Sequence, residues 1–375
     1  MGSRPTLPCR RLTRDELARI GSFVLAGVGL IVLTLAVASL PGSRGFAYDF
    51  AAYYQAAVRL AAGSGIYQPE TLMGPFRPGP GGLYLYPPPL AAVLSPFARV
   101  PLEVLASGWL LLRLLLLFAA FGLMPVRREV RLATLGVAAM SLPVLTDLNL
   151  GNVSILVLFL SAATWRYLDH PMGSIALASA LFLRPSLAVV VAGWFGQARL
   201  SAVLWTVLAA AGIMVALLPI AGASAYTDYL RVLANVSDVA GVPENGDLGS
   251  AALSLGAGPT LAWVAVLAGY ASGVFGLLLA VRRGDAELTY QVALGASLLL
   301  SPLLWVHYLA LLALPGAFLA ARGRPWGVLL PLLGWLPEPV RPMVALAALW
   351  LPFLASAAIA PDTGPEEPDL GRAPA

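Results

Sequence analysis

Six polar residues whose types do chemistry are scattered along an otherwise apolar chain: Asp49, Asp147, Asn149, Asn152, Arg184 and His307. A carboxylate can accept the proton of an attacking hydroxyl group, while a guanidinium and an imidazole can carry the charge on a departing phosphate. Brought together, these groups suit transfer from a phosphate-linked lipid donor to a hydroxyl acceptor. Each also has an ordinary reading. Asp49 has the type and position of a helix N-cap, Arg184 suits snorkelling to a membrane surface, and His307 suits an interfacial hydrogen bond. Asn149, Gly151 and Asn152 make a plausible turn. Tyr53, Tyr54, Tyr84 and Tyr86 fit an aromatic belt as well as sugar stacking. Asp228 and Asp238 read as solvated loop charges. The deciding question is whether the chain delivers the chemically capable residues to one place.

The 375-residue chain is 59% hydrophobic and 11% charged, against roughly 25% charged for soluble domains. That composition defines an all-α polytopic integral membrane protein with no separate soluble domain. The net charge of +4 is distributed as short arginine clusters between apolar runs. Such punctuation fits membrane topology and excludes a nucleic-acid-binding patch. Cys9 stands alone, so neither a disulfide nor a cysteine-based metal site forms within the chain. The first apolar run, about Ile20 to Leu40, is too long for a cleaved signal and reads as a retained anchor.

Because about 20 apolar residues cross a bilayer and arginine clusters stay on the cytoplasmic side, the pattern predicts about ten to twelve spanning helices. Residues 1–18 form a basic cytoplasmic tail, 19–359 one transmembrane domain, and 360–375 a disordered acidic tail. Outer loops cover 41–101 and 222–258, the second carrying Asp228, Asp238, Glu244 and Asp247. In the first, Phe50, Tyr53, Tyr54, Ala57, Val58 and Ala61 recur at helical spacing opposite Gln55 and Arg59, with Gly63 as the stop. This predicts an amphipathic juxtamembrane helix. The run "PPPLAAVLSPFARVP" is too short to span. Arg113 falls in the middle of the second span, about 102–124, where a charge costs a few kcal/mol unless it faces the protein interior. On this topology Asp49, Asp147, Asn149, Asn152, Arg184 and His307 share the outer membrane face.

The order of these motifs resembles glycosyltransferase family 87, the polyprenol-phosphate-mannose-dependent mannosyltransferases of the GT-C superfamily. "YDFAAYYQAAVRLAAGSGIY" (residues 48–67) resembles the family's opening element, an Asp after the first span followed by paired aromatics, small residues and a Gly before a Tyr. "YLYPPPLAAVLSPFARVP", "NLGNVSILVLFL", "LFLRPSLAVV" and "SPLLWVHYLALL" match the later elements in order. The chain departs from the family pattern with Asn152 after Gly151, Arg184 where Lys is common, and Val306 before His307. The resemblance implies a GT-C-like bundle in a plasma membrane, with an extracytoplasmic active site. It implies transfer of a sugar, mannose, from a polyprenyl-phosphate donor to a lipid-linked or glycolipid acceptor, with Asp49 as general base. By the same resemblance Arg184 and His307 contact the donor phosphate, and Tyr53, Tyr54, Tyr86, Asn152 and Arg59 contact substrate. Beside Asp49 there is no Asp-x-Asp pair, so no cofactor and no obligatory metal is expected. The partners are then membrane lipids, the donor and the acceptor.

Two other classes compete. A transporter or flippase of a lipid-linked precursor would bind a headgroup with the same residues but make no bond, and it predicts charges at mid-membrane depth. A membrane scaffold predicts no spatial clustering of the polar residues. An intramembrane protease lacks its zinc or paired-aspartate signature in this sequence.

Overall fold

The computed structural model describes residues 13–43, 45–74, 82–236 and 245–357. Cys9 and the tail before residue 13, Asp238 and Glu244 of the second loop, and the acidic tail lie outside the described residues. Every regular element among the described residues is helical.

Helix α1 (Arg14–Ser39) begins at a capping box, in which Thr13 Oγ1 accepts from the Glu16 N–H at 3.2 Å and Glu16 Oε2 accepts from the Thr13 N–H at 2.9 Å. Helix α2 (Tyr48–Ala61) is capped by Ala47 in the left-handed region at φ 58°, so Asp49 is not the N-cap expected but a first-turn residue. Gly63, at φ 72°, ends the helix as anticipated. Its N–H donates to Leu60 O and that of Ser64 to Arg59 O, each at 3.0 Å, the paired bonds of a Schellman stop. The buried stripe of α2 is Phe50, Ala52, Tyr53, Ala56 and Ala57. After a short α3 (Pro69–Met73) come α4 (Pro88–Leu94) and the 3-10 turn Ser95–Phe97, on both of which this stripe packs. The amphipathic helix is therefore built into the bundle and does not merely lie on a membrane surface.

Helices α1, α5 (Leu102–Leu123), α11 (Leu200–Ala221) and α14 (Pro259–Arg283) are each long and apolar enough to cross a membrane. A bent pair, α6 (Arg128–Ala139) and α7 (Leu142–Leu150), meeting at 60°, is together long and apolar enough for a fifth span or a re-entrant segment. The sequence read most of this pair as one continuous span. Its break lies at Ser141 and Pro143, and a proline at the start of α7 supplies no donor to continue the α6 ladder. The other apolar helices are short: α8 (Ser154–Arg166), α9 (Pro171–Leu181), α10 (Ala188–Gly196), α16 (Ala313–Ala321) and α17 (Arg341–Ala357), with the 3-10 runs Val306–Leu312 and Pro325–Trp335.

Helices α10, α14 and α17 pack around α15 (Ala286–Leu299), which is buried at every position from Leu288 to Leu299. The long helices form the rim and expose rows of large apolar side chains, such as Leu204, Val207, Leu208 and Val215 of α11. Lipid tails solvate such rows as well as leucine does, and a helix satisfies its own backbone, so the arrangement suits a bilayer. Two further helices, α12 (Ala223–Val236) and α13 (Leu248–Ser254), lie between α11 and α14 in the chain. The fold is an all-α polytopic membrane bundle.

Candidate active site

A cavity of about 430 Å³ opens at one end of the bundle. It is bounded by the start of α2, the 82–87 segment, the α7–α8 turn, the α9–α10 turn, α12 and residues 300–308. Six of the residues singled out from the sequence line it: Asp49, Tyr53, Tyr86, Asn152, Arg184 and His307. Residues separated by more than 250 positions in the chain thus share one wall-to-wall space.

Two other candidates do not line it. Tyr54 turns outward and donates to the carbonyls of Ala98 (3.2 Å) and Val100 (2.9 Å). Arg59 closes its own helix end, with Nε and Nη2 donating to Ile66 O at 3.1 and 2.6 Å. Helical geometry gives the reason: at about 100° per residue, Tyr54 points about 140° away from Asp49 and faces another wall. Both residues tie down the loop that carries Asp49.

Asp49 is held from across the chain. Asn152 Nδ2 donates to Asp49 Oδ2 at 2.7 Å and lies 3.2 Å from both the Tyr53 and Tyr86 hydroxyls, which are 3.1 Å apart. The other end of the amide leaves no choice of orientation. Asn152 Oδ1 accepts from Val153 N (2.8 Å), Ser154 N (3.1 Å) and Ser154 Oγ (2.9 Å), so the NH₂ must face the carboxylate. Burial pushes the Asp49 carboxyl up to about 6, against the opposing pull of the Asn152 hydrogen bond and the Arg113 charge.

The α7–α8 turn is itself locked to α2. Ala47 N–H donates to Asn149 O at 2.7 Å and Ser43 Oγ to Asn149 Oδ1 at 3.0 Å. Gly151 sits at φ 80°, and a Cβ there would lie 2.7 Å from the Cβ of Phe50. Phe50 stacks on Trp109 at 5.3 Å between centroids, and Trp109 Nε1 donates to Gly151 O at 2.9 Å. Gly151→Ala should therefore cost about 2–4 kcal/mol, combining left-handed strain with overpacking. Thermal melting of the purified variant in detergent checks this, and a melting temperature equal to wild type would refute the proposed close packing.

Arg184 and His307 form another part of the lining. Arg184 is 6% and His307 4% exposed. Arg184 Cζ lies 4.1 Å from the centroid of the Tyr308 ring, and its Nε is 3.2 Å from Ser186 Oγ. Arg184 Nη2 and both ring nitrogens of His307 are buried with no protein partner among the described residues. Unpaired buried polar atoms are costly, and three of them at one cavity mark it as a candidate ligand site. Around them run Leu183, Leu233, Leu300, Leu303, Pro302 and Trp305, an apolar side to the same cavity. Sequence reasoning missed the Tyr308 platform, although it is the immediate neighbour of His307. It also missed the bracing of residues 302–304 by Asn245, whose Oδ1 accepts from Leu304 N at 2.8 Å and whose Nδ2 donates to Pro302 O at 3.0 Å.

An all-α bundle with long apolar helices, in which a carboxylate, a guanidinium and an imidazole line one mainly apolar cavity, defines a membrane protein with a candidate polar site. Residues 84–304 match the sequence profile of glycosyltransferase family 87, and the chain belongs to that family as a membrane glycosyltransferase. The matched stretch contains Tyr86, Asn152 and Arg184, while Asp49 and His307 flank it. No curated protein and no solved structure matches the chain.

Proposed function

We propose that this protein moves a sugar, mannose, from a polyprenyl-phosphate donor to a hydroxyl of a lipid-linked or glycolipid acceptor at the extracytoplasmic face of the plasma membrane. The observation that carries the reading is the pairing of Asp49 with Arg184 and His307 around one cavity that also has an apolar side. The acceptor oxygen attacks the anomeric carbon, the bond from that carbon to the phosphate oxygen breaks, and the polyprenyl phosphate leaves with the electron pair. The hydroxyl proton passes to the Asp49 carboxylate. Attack opposite the leaving phosphate in one displacement inverts the anomeric centre. Arg184 and His307 offer their unpaired donors to the phosphate, whose charge grows as the bond breaks. Phosphate is a competent leaving group, so this scheme needs no general acid, cofactor or metal. The apolar wall would receive the first isoprene units, and Tyr53 and Tyr86 would hold the sugar.

Purified protein in lipid, given radiolabelled polyprenyl-phosphate mannose and a membrane lipid extract, should form a labelled glycolipid. Polyprenyl-phosphate donors carrying other sugars should react more slowly. Donor binding without product across all sugars and acceptors would favour the transporter reading. Product from another sugar alone would correct the mannose assignment and leave the reaction class intact.

The acid limb of the reaction follows from Asp49. A general base works deprotonated, so kcat/KM should fall tenfold per pH unit below about 6, where burial places the Asp49 carboxyl, and level off above it. Initial rates between pH 4.5 and 8.5 test this. A limb near pH 4 would mean that Asp49 is solvated during turnover or is not the base.

A further inference from the structure

Arg113 lies in the middle of the spanning helix α5 with 1% of its surface exposed, and its carboxylate partner Asp147, at 0%, is equally enclosed. A buried ion pair is weak evidence for stability, because desolvation offsets the attraction. What distinguishes this one is what its two members hold.

Arg113 Nη1 donates to Asp147 Oδ1 at 3.2 Å and also to the Asp147 main-chain oxygen, and Nη2 donates to Leu148 O at 3.2 Å. The guanidinium thus grips the last turn of α7. Asp147 Oδ2 reaches forward and accepts from the N–H groups of Ser154 (2.8 Å) and Ile155 (3.3 Å), the first turn of α8. The pair therefore clamps both sides of the three-residue bend Gly151–Val153, whose polar side chain is Asn152. That amide is the group that contacts the Asp49 carboxylate.

We propose that the buried Arg113–Asp147 pair is a positioning device for the reaction: it fixes the α7–α8 bend so that Asn152 holds the Asp49 carboxylate in place. The inference rests on Asp49 being the base. Arg113 and Asp147 do not line the cavity, so neither touches substrate. Their effect reaches the reaction through Asn152, with the Arg113 charge adding its own stabilisation of the Asp49 anion. The ionisable groups facing Asp49 are Tyr48 and Tyr53 of its own helix, Tyr86, Arg113 from α5 and, on other walls of the cavity, Arg184, His307 and Tyr308. Of the two arginines, only Arg113 is tied to the bend.

The test compares wild type, Arg113→Met/Asp147→Leu, Arg113→Lys and Asn152→Leu for kcat, donor KM and the pH dependence of kcat/KM, with transfer from polyprenyl-phosphate mannose. The double variant removes both charges, so neither is left buried alone. It should lower kcat at neutral pH at least tenfold, leave donor KM within threefold, and move the acid limb up by about one pH unit. Asn152→Leu should shift the limb in the same direction, and adding it to the double variant should change little, because both act on one contact. A uniform loss across pH with kcat and KM changed together would make the pair a purely structural staple and overturn the proposal. If the double variant fails to fold, Arg113→Lys decides. It keeps the charge but loses the fork that spans two carbonyls, so kcat should fall three- to tenfold at unchanged KM, and wild-type kinetics would overturn the clamp. Failure of the underlying reading looks different: Asp49→Asn would retain turnover and the wild type would show no acid limb near 6.

Discussion

Asp49→Asn abolishes turnover by about three to four orders of magnitude while leaving donor affinity within a few-fold of wild type. The size follows from the role: a positioned general base contributes about 10²–10⁴ in rate, and an amide cannot take the acceptor proton at all. Binding should survive because the substitution is nearly isosteric and because, in the proposed scheme, Asp49 meets the acceptor while Arg184 and His307 meet the donor phosphate. One local cost is foreseeable. Asn152 Nδ2 now donates to Asp49 Oδ2, and its own oxygen is fully engaged with Val153 and Ser154, so the new amide must present its oxygen to keep that bond. It can do so by rotating, which leaves its NH₂ directed at the other side of the carboxylate position. Initial rates with labelled donor, together with equilibrium donor binding to the same preparation, separate the outcomes. Loss of both would make Asp49 a binding or scaffolding residue. Retention of both would leave a glycosyltransferase with a different base.

The same geometry explains which parts of the site were legible in the sequence. Asp49, Arg184 and His307 stand out because each is a charged or titratable residue next to an apolar run, and topology alone sorts them to one side. The stop at Gly63 was equally plain, since only a left-handed residue completes the paired bonds that end α2. The partner of Arg113 was not legible. Asp147 lies 34 positions away, and the two meet only because the α6–α7 pair is bent by 60° and delivers its last turn to the middle of α5. A periodicity argument treats a span as a straight rod, and it has no term for such a bend. Tyr54 and Arg59 lie outside the cavity lining for a related reason. They belong to the same motif as Asp49, but a motif is contiguous in sequence while a helix face is not, and their side chains point to Ala98, Val100 and Ile66. The short helices around α15 were visible as apolar runs, yet nothing in their composition told a full crossing from a half one.

Arg184→Gln should lower kcat about 10²–10³-fold with a smaller rise in donor KM. The asymmetry comes from charge. In the donor the phosphate is a diester with one negative charge, and in the leaving polyprenyl phosphate it gains a second. A fixed cation therefore interacts more strongly with the transition state than with the bound donor, and that difference is what accelerates the chemical step. Arg184 is suited to this because its guanidinium is already desolvated, laid on the Tyr308 ring at 4.1 Å and anchored through Ser186 at 3.2 Å. It needs no reorganisation as the charge develops. Among the described residues Arg184 Nη2 and the ring nitrogens of His307 have no protein partner, so removing the guanidinium leaves the imidazole N–H as a remaining donor. Arg184→Lys keeps the charge but not the flat contact with Tyr308 or the second donor, and should recover part of the lost rate. Inhibition by polyprenyl phosphate should weaken more than donor affinity, since the product carries the extra charge. Steady-state kinetics with product inhibition on the three proteins reads all of this at once. A rise in donor KM with kcat unchanged would show that Arg184 only holds the ground state, and the work of stabilising the leaving phosphate would then pass to His307.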